Sequence, residues 1–144
     1  VVGTSVAVGA TNRSGQVDYL DSALIGAKSA IFVGALNGNG STSNKTTMAW
    51  YSNIAGTNTA VQKQFLSVGV AGNATNLYGT SFAAPVISGY SAILGSKFTA
   101  ASSSAIANQL LNTARTDTIA NYNAQTYGRG EASLARALAP VSIK

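Results

Sequence analysis

Residues 81–96 carry small and apolar side chains at helical spacing on two overlapping faces. One runs through Ala84, Ile87, Ser88, Ser91, Ala92 and Gly95, the other through Phe82, Val86, Tyr90, Ile93 and Leu94. A helix that is apolar nearly all round has to be covered on most sides, so this spacing predicts a buried central helix rather than an amphipathic surface one. Two other segments fit the same picture. Val1 to Ala10 and Ala30 to Leu36 are continuous runs of small, β-branched and apolar residues, ended by the turn-rich stretches 11–15 and 37–40. Runs without polar alternation suit strands of a parallel sheet covered on both faces. Phe65 to Val70 reads as a further short strand. The fold class expected is α/β.

The remaining segments are less regular. Residues 17–28 read as a loop with a short helical piece, and residues 37–64 as loops and short strands anchored by Trp50 and Tyr51. A second helix is expected over Ala101 to Arg115, with Ile106, Leu110, Leu111 and Ala114 on one face and Arg115 near its C-terminal end. A short helix is expected over Glu131 to Leu138, stopped by Pro140. No repeat or linker divides residues 1–144, which read as one unit.

Composition excludes several functions. The chain has no cysteine, hence no disulfide, thiolate metal site or cysteine nucleophile, and no histidine, the commonest general base and catalytic metal ligand. The net charge of +5 comes from nine basic residues spread singly along the sequence. Without a grouped basic stripe it indicates a soluble protein, not a nucleic-acid binder. No apolar run is long enough to span a bilayer, and the first eight residues do not read as a signal peptide. Asp18 and Asp21 could contribute to a calcium loop, but two carboxylates are too few to assign one, so no cofactor is required and structural calcium stays unassigned. Asn12, Asn39, Asn44 and Asn73 each begin a glycosylation acceptor pattern, which a chain rich in Asn and Ser produces by chance.

The chemistry concentrates at Gly79-Thr80-Ser81-Phe82-Ala83-Ala84-Pro85. Ser81 stands where a loop meets the predicted helix, so its N–H is among the unpaired donors of a helix N-terminus and the dipole there favours negative charge. Gly79 permits a tight backbone beside it, and Pro85 is expected within the first turn, where a missing N–H costs little. A lone serine at a helix start is more often only a cap. Other serine nucleophile designs do not fit, since neither Gly-x-Ser-x-Gly nor Ser-x-x-Lys occurs.

The seven residues match the Gly-Thr-Ser-x-Ala-Ala-Pro serine signature of the subtilases, and the chain resembles the C-terminal half of a subtilase peptidase domain. Further segments resemble that family in the same order: residues 6–12 its strand ending in the oxyanion asparagine, Ile31 to Ala35 its Val-Gly-Ala strand, Tyr51-Ser52-Asn53 its aromatic-Ser-Asn step, and Tyr127-Gly128-Arg129-Gly130 its closing motif. Thr11 stands where the family usually has Gly, and Ser133 where it has Asn.

The resemblance implies a three-layer fold with a mainly parallel sheet and a central helix starting at Ser81. It implies a serine endopeptidase in which Ser81 is the nucleophile and Asn12 the oxyanion donor, with Gly9, Ala10, Thr11, Gly79 and Thr80 along the substrate. The Asp and His of the triad would come from the N-terminal half of the same domain, the expected partner alongside peptide or protein substrates. The isolated chain would then be inactive. The variant signature is similar to those of bacterial secreted and autotransporter members, which implies a secreted or cell-surface location. The alternative is a non-catalytic subtilase relative acting as a folding or interaction module.

Overall fold

The computed structural model describes residues 22–144 together with the backbone of residues 2–5. Three parallel strands lie in the order β1 (Val2–Ser5), β2 (Ala30–Leu36), β3 (Phe65–Gly69). The central strand β2 is buried at all seven positions, as its unbroken apolar run requires. Val2 pairs with Ala30 on one side, and Gly34 pairs with Ser67 on the other. Beyond β3 the ladder continues through single bridges, Ser67 to Glu131 in parallel and Glu131 to Arg115 in antiparallel sense. The strand read over residues 1–10 is seen at Val2–Ser5, and its remainder lies outside the described residues.

Alternation along the strands sorts side chains onto two faces. Ile31, Val33, Ala35, Leu66, Val68 and Val70 join Ala83, Ile87 and Leu94 of the long helix and Ile106, Leu110 and Leu111 of the next in one core cluster. Phe32 and Phe65 pack with Ala55 and Val61, and Leu36 with Ile119 and Tyr127, in two smaller clusters.

Six helices follow β2. They are α1 (Thr59–Gln64), α2 (Gly72–Thr75), α3 (Thr80–Lys97), α4 (Ser103–Asn112), α5 (Ala124–Tyr127) and α6 (Leu134–Leu138). Helix α3 is the helix expected over residues 81–96, one residue longer at each end, but among the described residues it is covered along one stripe and not nearly all round as its composition suggested. It buries a single stripe of Thr80, Ala83, Ile87, Ser91 and Leu94, whereas Phe82 and Ile93 on its other flanks are 39% and 46% exposed.

Three expectations need correction. Residues 37–64 hold α1 as well as loops: Asn58 caps it by accepting from the Ala60 N–H at 2.9 Å. Helix α4 begins after Ser102, whose hydroxyl accepts from the Ala105 N–H, and it ends at Asn112, short of Arg115. Arg115 and Glu131, read as helical, instead exchange two backbone hydrogen bonds of 2.8 Å as extended partners. The last helix therefore starts only at Leu134, capped by Ser133.

Candidate active site around Ser81

The strands β2 and β3 end on the same side of the sheet, and the chain leaving β3 turns through α2 into the start of α3. Gly79 is the N-cap of α3, at φ +139° and ψ +149°. A Cβ there would meet nothing closer than 3.8 Å, so torsion rather than crowding demands glycine. Its carbonyl accepts from the Phe82 N–H at 3.1 Å, which turns the chain sharply into the helix. Thr80, first in the helix, is fully buried, and Ser81, second, is exposed. No side chain caps this terminus. The Ser81 hydroxyl and N–H thus share a helix start whose dipole favours an anion.

Pro85 sits deeper than expected. With α3 beginning at Thr80 it is the sixth helical residue, in the second turn. The N–H it lacks would have bonded to the Ser81 carbonyl, so the missing donor falls on the backbone of Ser81 itself.

Three aromatic rings flank the helix start. Trp50 and Tyr51 meet edge to face at 5.5 Å, and Tyr51 meets Tyr78 at 5.8 Å. They line, with Asn37, Val70, Gly72 and Asn73, a recess of about 30 Å³ at the C-terminal ends of β2 and β3. Parallel α/β sheets place ligand sites at this end. Burial pushes the Tyr51 phenol above its ordinary pKa, a hydrogen bond from the Gly79 backbone works against the shift, and the neighbouring Tyr78 adds to it. In the sequence Tyr51 stood out as an anchor and as the aromatic of the aromatic-Ser-Asn step, not as a neighbour of Ser81. Tyr78, directly before the signature, carried no signal beyond its position.

Gly79, Thr80 and Ser81 are consecutive at the start of α3. Asn12, Gly9, Ala10 and Thr11, and the carboxylates of Asp18 and Asp21, lie outside the described residues. The two described carboxylates are engaged elsewhere. Asp117 pairs with Arg115 at 3.0 Å, and Glu131 accepts from the Gly40 N–H at 2.9 Å. Among the described residues no three His, Cys, Asp or Glu side chains stand together as a metal site. The arrangement presents an exposed hydroxyl beside the N–H groups of a helix start, in a chain that contains no histidine.

The family model of the subtilases matches residues 2–130, which takes in β1, the whole sheet and the Ser81 signature. The chain belongs to the subtilase family. No curated protein matches it. The family is one of serine proteases acting on peptides and proteins, so the α/β architecture and the central helix of this subtilase are those of a peptidase domain. No helix among the described residues is long and apolar enough to cross a membrane.

Proposed function

We propose that this subtilase chain supplies the nucleophile of a serine endopeptidase whose Asp and His reside on the N-terminal half of the domain. The exposed Ser81, second residue of an uncapped 18-residue helix inside the family signature, carries the reading. Its Oγ attacks the carbonyl carbon of the substrate peptide bond while its proton passes to the incoming histidine. The oxyanion so formed is held by the Ser81 N–H and by Asn12. Collapse of the tetrahedral species breaks the C–N bond, the histidine returns its proton to the leaving amine, and an acyl-enzyme remains on Ser81. Water, deprotonated by the same histidine, then releases the acid. Gly79 and Thr80, with Gly9, Ala10 and Thr11, border the substrate, and Thr11 narrows the primary pocket. The protein works outside the cell or at its surface.

A fluorophosphonate probe tests this directly. The assembled protein is expected to label at Ser81, the Ser81→Ala variant and the isolated chain to stay unlabelled. The absence of histidine favours a second reading, a non-catalytic folding or interaction module. Failure of the assembled, folded protein to label would establish that second reading and overturn the first.

A further inference from the structure

The face of β3 turned away from α3 carries a buried polar group that the peptidase reading does not use. Ser67 lies on that face, between Phe65 and Gly69, and bridges to Glu131, so the two side chains stand next to each other. The loop 38–40 covers them. A Cβ on Gly69 would lie 2.4 Å from the Asn39 nitrogen and 2.5 Å from the Gly38 carbonyl carbon, and the Gly40 N–H donates to Glu131 Oε1 at 2.9 Å. Thr118 closes the remaining side, its Cβ 3.0 Å and its carbonyl oxygen 2.2 Å from where a Gly40 Cβ would be.

Three oxygens under this loop have no hydrogen-bond partner: Glu131 Oε2, Ser67 Oγ and Thr118 Oγ1. Their residues are 5%, 0% and 0% exposed. The nearest described guanidinium, that of Arg115, is committed to Asp117 through two 3.0 Å hydrogen bonds. The Arg115 charge reaches Glu131 only through space, and because buried polar groups in native proteins are nearly all hydrogen-bonded, three unpaired oxygens on residues that border this loop call for a partner.

We propose that Glu131 Oε2, Ser67 Oγ and Thr118 Oγ1 form a site for a monovalent cation of sodium or potassium size beneath the loop 38–40. One carboxylate and two hydroxyls balance a single positive charge and offer the hard oxygen donors such an ion takes. The absence of any three-carboxylate group among the described residues argues against a divalent ion there. The ion would tie β3, the 131 segment, the 118 segment and loop 38–40 together, and it is independent of the chemistry at Ser81.

The test is thermal unfolding of the assembled protein in sodium, potassium and choline chloride at equal ionic strength. Sodium or potassium is expected to raise the midpoint over choline by roughly 4 °C at ten times its Kd, saturating with concentration. Glu131→Gln should remove that increment. Should Glu131→Gln fail to fold, Thr118→Val keeps the carboxylate and its Gly40 bond and should weaken the ion's apparent affinity at least fivefold. A rubidium soak should place an anomalous peak beside Glu131 Oε2. Equal midpoints in the three salts, an undiminished increment in either variant, or a water at that position would overturn the proposal.

Discussion

Tyr51 meets Tyr78 edge to face at 5.8 Å, and the Tyr51 phenol lies at the backbone of Gly79, two residues before Ser81. The pair therefore braces the one bend that presents the serine. Tyr51→Phe keeps the ring contacts and removes only the hydroxyl. It should cost about 1 kcal/mol in urea unfolding and slow fluorophosphonate labelling of Ser81.

The same phenol gives a pH dependence. Its folded pKa is raised above the ordinary value near 10, chiefly by burial. Raised in the fold, it contributes stability that is fully present below that ordinary value and lost as pH climbs through the folded one. Wild type should thus lose stability above pH 10 more steeply than Tyr51→Phe, as read by unfolding midpoints between pH 8 and 11.

Gly79→Ala isolates torsion. Nothing lies within 3.8 Å of the added methyl, so the penalty comes from φ +139° alone. A loss of roughly 1–3 kcal/mol is expected, with a larger fall in Ser81 labelling than the stability loss explains. Equal effects of Gly79→Ala and a remote destabilising variant on labelling would count against this role.

Gln64 binds the segment before β2 to α1. Its Nε2 donates to the carbonyls of Leu24, Ala27 and Ala30, and its Oε1 accepts from the Gly26 N–H at 2.6 Å. Gln64→Leu leaves these groups without partners and should cost about 2–4 kcal/mol, measured by urea unfolding.

At the surface, Asp117 is held below its ordinary pKa first by its hydrogen bond to Arg115. A depressed carboxylate contributes stability above its unfolded pKa and loses it as pH falls through the folded one. Asp117→Asn should therefore flatten the acid limb of the stability curve slightly, and an NMR titration of the side chain should report the low pKa directly. Its exposure keeps the effect small.

What could be read from the sequence follows from which residues carry a local signal. Ala30 to Leu36 forms the strand its apolar run announced, and Ser81 lies at a helix start as the signature implied, because both depend on neighbours along the chain. Helix α1 was missed since its six residues span less than two turns and its anchor is a polar side chain, Gln64, whose partners lie more than 30 residues away. Arg115 and Glu131 each looked helical by composition. Their pairing with one another is a long-range fact, and it overrides weak local propensity. The aromatic flank of Ser81 was equally hidden, since Trp50 and Tyr51 reach it only through the fold.

The contrast between Thr80, wholly buried, and Ser81, exposed, has a consequence for how such a chain can vary. Each residue of an α-helix turns the next by about 100°. Were the chain between β3 and α3 to gain or lose one residue while the apolar stripe kept its seat, nothing would change at the helix. A slip of the helix itself by one position would point the threonine outward and bury the serine. The identity of the hydroxyl offered to solvent is thus set by the rotational phase of α3, and Ala83, Ile87 and Leu94, spaced along the buried stripe, hold that phase.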